Sequence, residues 1–435
     1  MRFFDVPVKF LPAILILCGV YFLVKLKFFF LVHPLKTAKL MFSSPEQIRE
    51  LSLSLAGTLG VGNIVGVAVA IILGGSGAVF WMWISAAVSM VLKYAEIVLA
   101  VKYRHFSLSG DATGGPMYYM RDGIGGRLGR ALAFVFALLG VSLSFAMGNL
   151  VQSGAAVGAL SEMTACSPLF LGAVLGVLCA FSIFGGYKSV SNVTSFVVPA
   201  MSAVYLVVSL GIVFTNVERL PDIFSNIISS AAEPLSAGGG IVGFLTSNAV
   251  RHGVSKGAYS HESGAGTAPL SHFKTKNNSP ARQGLLGLFE VFFDTIVMCT
   301  ITAVVLLLYG DAPSSSASEY ISAAFSQFYG APGMYIVNIS VVLFAFSTMI
   351  CWGFYGRTCL FYLCSKPNIA NGYLALYCGA VALGGIINEG IIWQIADIAV
   401  VVMTSVNLCA IVNLSEIVKK ETELVFDCSR KNKLQ

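Results

Sequence analysis

The sequence predicts an all-α polytopic membrane protein of about eleven transmembrane helices, a five-plus-five inverted-repeat transporter core with one extra N-terminal helix. Three observations carry this expectation. Hydrophobic residues make up 56% of the 435-residue chain and charged residues 11%. With a mean hydropathy of +0.81, such a composition belongs in lipid rather than in water. Apolar runs of span length recur from end to end. Finally, two glycine-interrupted runs stand in corresponding places of the two halves.

The opening stretch MRFFDVPVKFLPAILILCGVYFLVKLKFFF has a basic start and an apolar run with no small-residue cleavage site after it, so it reads as a retained helix. Spans are expected near 10–31, 50–73, 77–101, 131–160, 168–187, 192–215, 238–258, 284–309, 333–363, 370–387 and 391–413. Residues 1–49 then hold the extra helix and a basic loop, 50–237 the first five-helix repeat, 238–414 the second, and 415–435 a basic tail.

Charge sorts with this order. Eleven spans put the N-terminus outside and the C-terminus in the cytoplasm, and cytoplasmic loops are the ones enriched in Lys and Arg. The expected cytoplasmic side carries Lys36, Lys39, Arg49, Arg104, Arg121, Arg127, Arg130, Lys188, Lys274, Lys276, Arg282 and Lys366, plus Lys419, Lys420, Arg430, Lys431 and Lys433 in the tail. External loops contain only Arg2, Lys9 and Arg219. The net charge of +6 is thus a topology signal of a multi-pass plasma (inner) membrane protein surrounded by lipid, and no nucleic-acid partner is expected. The ten cysteines are scattered singly with no CxxC pair, which argues against a zinc site or a disulfide framework.

The first core helix, LAGTLGVGNIVGVAVAIILGG from Leu55 to Gly75, is unusual for a span. Gly57, Gly60, Gly62 and Asn63 sit where a helix in lipid has least reason to break. Unwinding frees backbone groups that lipid does not tolerate unless they line a cavity or bind something. Freed amides near Gly62 to Ile64 form a positive helix end suited to a carboxylate, and freed carbonyls near Gly57 and Gly60 suit a cation or an ammonium group. A zwitterion and a sodium ion fit such a break. The competing explanation is that Gly62 and Gly66 form a GxxxG helix-packing motif. In the second half, SNAVRHGVSKG from Ser247 to Gly257 is expected to be the matching break. The Gly-rich GDATGGPMYYM, Gly110 to Met120, reads as a structured loop packed under the bundle, and neither stretch carries a phosphate-loop signature.

Polar residues in other spans complete the candidate site. In FAMGNLVQSG, Asn149, Gln152 and Ser153 share one helix face, either for helix-to-helix hydrogen bonds or, at Gln152, for a substrate. FSTMICW puts Thr348 and Trp352 one turn apart, so an indole could close over a small substrate whose polar group meets the hydroxyl; plain packing is the alternative. Ionisable residues in spans are functional suspects. Lys93 and Glu96, three apart, are expected to pair; Glu290 and Asp294 would repel unless paired, with Arg251 or Arg357 as candidates; Asp397 lies in the last span. Enzyme chemistry finds no footing, since His33, His105, His252, His261 and His272 form no HExxH and no GxSxG occurs. A channel would show a repeated filter or polar ring, and a receptor would usually add an output domain.

GVGNIVGVAVAI, FWMWISAAVSMVLKYAEIVLAVKYR, GGPMYYM, GVSKGAYSHESGAGTAPLSH, RQGLLGLFEVFFDTIVMCTITAVV and FSTMICWGFYG together resemble the alanine or glycine:cation symporters, also called sodium:alanine symporters, over essentially the whole chain. The resemblance implies sodium-coupled uptake of a small neutral amino acid on a leucine-transporter-type fold. The break and the spacing of the polar residues make Gly60, Gly62, Asn63, Gln152, Thr348 and Trp352 the expected substrate contacts, and the resemblance adds support at Gln152. Ser347 and Thr348 resemble the adjacent hydroxyl pair that forms the fold's sodium site with first-helix carbonyls, here those of Gly57 and Gly60; oxygen ligands suit a hard cation. This chain departs from the family at Ser76, within GGSGA, and at Lys256, Tyr259, His261 and Ser263. Those changes bear on substrate range and ion preference. Proton coupling, and substrates such as glutamine or serine, are the alternatives within transport.

Overall fold

The computed structural model describes residues 5–41, 45–107, 111–236, 247–310, 316–387 and 389–431. Nearly all are helical. In the N-terminal part, α1 (Asp5–Lys25), α2 (Phe29–Val32) and α3 (Pro34–Met41) precede α4 (Pro45–Thr58). A single 3₁₀ turn (Val61–Asn63) separates α4 from α5 (Val65–Gly74). The first half continues with α6 (Gly77–Lys102), α7 (Gly126–Met163), α8 (Pro168–Ile183) and α9 (Gly186–Thr215).

The amphipathic α10 (Leu220–Ser236) leads to the second half: α11 (Asn248–His261), α12 (Pro269–His272), α13 (Pro280–Tyr309), α14 (Ala317–Tyr329), α15 (Ala331–Leu363), α16 (Pro367–Leu383) and α17 (Glu389–Asn413), followed by α18 (Ser415–Lys431). Among the described residues, α6, α7, α9, α13 and α15 are each long and apolar enough to cross a membrane alone. At the other expected spans the helices are shorter or broken, as at α4–α5 and α11–α12.

Packing follows the repeat. The pairs that correspond between halves meet each other, α7 with α15 and α8 with α16, while α6 packs between α11 and α13. The polar stretches expected to be connectors are partly helical too. The tail's α18 folds back on the N-terminal helix, where Lys25 bonds to the Ser415 hydroxyl (2.8 Å) and to Glu416 (2.9 Å). Loop residues from Asp111 onward pack beneath the bundle: a methyl on Gly114 would stand 2.6 Å from the Phe273 side chain.

The first break lies where the sequence places it, and the second does not. Ser247–Gly257, expected to be interrupted, is the cap and body of a continuous α11; the Ser247 hydroxyl accepts from the Val250 amide (3.4 Å). Gly253 is there for close packing, since a Cβ on it would collide with Ala78 and Trp81 of α6, whereas one on Gly257 would make ordinary contact with Met82 and Ser85. The chain unwinds after His261 instead. Glu262 (φ 52°), Gly264 (φ 87°) and Gly266 (φ 81°) take left-handed conformations before α12 begins. Residues 238–246 of the expected span lie outside the described residues. The GxxxG alternative for the first break also fails in part, because a Cβ on Gly66 would meet nothing within 4 Å.

Candidate functional site

The site is built where the first break faces α7, α13 and α15. After Thr58 the backbone straightens, and Gly60 is extended (φ −125°, ψ −159°). Two amides lose their helical acceptors there, and side chains supply new ones. Asn63 Oδ1 accepts from the Gly60 amide (3.2 Å), and Gln152 Oε1 of α7 accepts from the Val61 amide (3.2 Å). From α15, the Thr348 hydroxyl lies 3.3 Å from both the Ala56 and Leu59 carbonyls at the C-terminal end of α4. A methyl on Gly60 would stand 2.7 Å from Thr348 Oγ1 and 3.1 Å from Gln152 Oε1. Gly60, Gln152 and Thr348 therefore converge on one point.

The carbonyls that meet Thr348 belong to Ala56 and Leu59, each one residue before Gly57 and Gly60. Gly57 instead lets the Tyr355 ring of α15 approach, its absent Cβ position abutting the phenol hydroxyl. Ser347 is brought elsewhere: its hydroxyl donates to the Phe344 carbonyl (2.9 Å) of its own helix and lies 4.0 Å from the Met201 sulfur of α9. Gly62 packs on the second half, a Cβ there falling 3.2 Å from Ser260 Cα.

Asn63 turns its amide nitrogen away from the Gly60–Gln152–Thr348 point. It donates to Asp294 Oδ1 (2.7 Å), the Asp294 carbonyl (3.0 Å) and the Ser260 hydroxyl (3.0 Å). Ser260 and Thr295 donate to the other Asp294 oxygen, each at 2.8 Å. This cluster joins the first break to α11 and α13. Asp294 sits on a π-helical turn (Phe292–Cys299) of α13, and a second π turn (Ala146–Leu150) of α7 ends two residues before Gln152. Widened turns of this kind expose backbone and re-aim side chains, and recur at functional sites. No Arg reaches Asp294 or Glu290 among the described residues, contrary to the pairing expected with Arg251 or Arg357.

Trp352 is buried one turn beyond Thr348. Its indole N–H donates to Glu262 Oε1 (3.2 Å), in the second break, and the ring lies against Gly148 of α7, where any Cβ would collide with it. Asn149, expected on the face of Gln152, bonds to the Tyr377 carbonyl of α16 (2.7 Å), so it serves packing between helices.

Lys93 and Glu96 do not pair with each other. Lys93 reaches Glu290 (3.3 Å) and caps the last carbonyl of α11, at His261 (2.9 Å). Glu290 also takes His272 Nε2 (2.7 Å), whose other ring nitrogen meets Gln283 (2.8 Å). Both sides of the second break are thereby tied to α6 and α13. Glu96 accepts from Asn407 of α17 (2.8 Å). The side chain of Asp397 lies outside the described residues. The sequence marks Glu96, Glu290, Asp294 and Asp397 as suspects but not Glu262, which bonds to Trp352 in the second break; the partners depend on helix rotation, which spacing along one chain does not report.

Residues 4–435 match the sodium:alanine symporter family. The sodium/alanine symporter AgcS of Methanococcus maripaludis is 36% identical over 95% of this chain and 93% of its own length. The amino-acid carrier protein AlsT of Bacillus subtilis is 34% identical over 95% and 88%. In fold, the chain superposes on the solved structure of MhsT in complex with L-phenylalanine with a TM-score of 0.63, covering 88% of this chain and 92% of that one at 14% identity. Two broken helices joined through Asn63 and Ser260, in a chain matched end to end, lead to one conclusion: this chain belongs to the sodium:alanine symporter family, and it is a sodium-coupled amino-acid symporter.

Proposed function

We propose that the chain imports a small neutral amino acid, alanine or glycine, with sodium across the plasma membrane by alternating access, its N-terminus outside and its C-terminus in the cytoplasm. The observation that carries this reading is the convergence of Gly60, Gln152 and Thr348, which leaves no room for a side chain on the first break. The substrate carboxylate takes the Gly60 and Val61 amides, which now point at neutral oxygens of Asn63 and Gln152. Hydrogen bonds to an ionised acceptor are roughly twice as strong as those neutral ones. Trp352, one turn from Thr348, bounds the size of what enters.

Sodium is assigned to the Ala56 and Leu59 carbonyls and Thr348 Oγ1. A hydroxyl has a single hydrogen and cannot satisfy both carbonyls well, whereas a hard cation among the three turns all of them into acceptors. Such an ion would hold α4 to α15, so closure around the substrate would require it. Proton coupling is the second reading, favoured by the buried carboxylates of Glu262 and Asp294, neither of which is in a salt bridge among the described residues.

Uptake of labelled alanine into proteoliposomes under imposed sodium or proton gradients tests the reading, with unlabelled glycine, serine and glutamine as competitors. Sodium-driven uptake blocked by glycine and only weakly by glutamine is expected. Uptake driven by protons alone, or preferential block by glutamine, would replace the proposal.

A further inference from the structure

We propose that the cavity between the end of α1 and α18 binds the phosphate headgroup of an anionic phospholipid, which clasps the two ends of the chain together at the membrane surface. The cavity holds about 270 Å³. Lys25, Lys27, Lys419 and His33 line it against a single lining carboxylate, Glu423. Lys25 is engaged by Glu416 (2.9 Å), but Lys27 and Lys419 are in no salt bridge among the described residues. Two cations lining one cavity from different elements, Lys27 after α1 and Lys419 on α18, with neither in a salt bridge among the described residues, favour a shared anion between them.

The backbone holds this arrangement against its own preference. Lys27 (φ 55°) and Phe28 (φ 51°) are consecutive left-handed residues, and neither is glycine. Such conformations persist only when the surroundings impose them. The floor is aromatic and rigid, with Phe29 and Phe426 in edge contact at 4.9 Å.

A lipid, rather than a soluble phosphate, is indicated by what adjoins the cavity. Phe28, Leu31, Val32 and Leu35 recur at helical spacing and are 41%, 63%, 60% and 85% exposed. This apolar row starts where α1 ends, and acyl chains cover it without cost while the headgroup reaches the lysines. The inference requires α1 to lie in the bilayer and is independent of which amino acid is carried.

The test uses the full chain reconstituted in phosphatidylcholine nanodiscs with or without phosphatidylglycerol, then extracted and weighed by native mass spectrometry. Phosphatidylglycerol should be retained preferentially, and the Lys27→Gln/Lys419→Gln pair should cut its retention about tenfold. Glu423→Gln should raise it, a gain that no folding defect imitates. Equal retention of the two lipids, unchanged retention in the lysine pair, or a thermal shift given by inorganic phosphate and not by phosphatidylglycerol would overturn the proposal. Lys188→Gln, far from the cavity in sequence and lining none of it, should leave retention unchanged; a loss there would show bulk charge rather than this site, and also overturn it.

Discussion

The Asn63 amide nitrogen stands 2.7 Å from the Asp294 carboxylate, joining the unwound stretch of the first core helix to the π turn of α13. The same asparagine accepts from the Gly60 amide with its oxygen, so one side chain fixes both the shape of the break and its distance from the second half.

Removing the acid should therefore be felt in the sodium response before it is felt in folding. Asp294→Asn keeps the volume and most of the hydrogen bonds but loses the charge. Hydrogen bonds to charged groups contribute about 1.5–3 kcal/mol, so the half-saturating sodium concentration for uptake should rise roughly tenfold or more. Uptake titrated with sodium in proteoliposomes checks this, and an unchanged midpoint with full expression would show that the Asn63–Asp294 link does not set the ion-binding shape of the first break.

Glycines at the first break should separate by position. Gly60→Ala places a methyl 2.7 Å from the Thr348 hydroxyl and is expected to abolish alanine uptake while the protein still reaches the membrane. Gly66→Ala meets nothing within 4 Å and should preserve uptake, with helix stability raised by about 0.5–1 kcal/mol. Thermal unfolding in detergent alongside uptake reads both effects.

Lys93 should behave as a structural tie. Lys93→Met leaves the Glu290 carboxylate and the His261 carbonyl without their cation, and breaking one partner of a buried pair costs about 3–5 kcal/mol. Adding Glu290→Gln should recover part of the loss, because no uncompensated charge is then left. The comparison of thermal midpoints for the single and double variants measures that recovery.

How far the sequence reported this architecture depends on what each residue type can mean. The first break was legible because Gly57, Gly60, Gly62 and Asn63 lie together in an apolar run with no other polar purpose. In the second half the same residue type has two uses: Gly253 admits α6, while Gly264 and Gly266 turn the chain through positive φ. Composition alone cannot separate them. Thr348 was legible as a hydroxyl in a span, but its carbonyl partners were displaced by one residue, a matter of helix rotation. Amphipathic α10, α14 and α18 do not stand out in the sequence because each is too polar to read as a span.

Sodium and the amino acid share the first break in this proposal, with Thr348 closing the ion's coordination. Binding of labelled alanine to the purified protein, titrated with sodium for the wild type and Thr348→Val, tests it most directly. Binding should be sodium-dependent in the wild type, and the variant should need about tenfold or more sodium, for the loss of one hard oxygen ligand. Alanine binding that is independent of sodium, or a Thr348→Val protein with the wild-type sodium response, would contradict it.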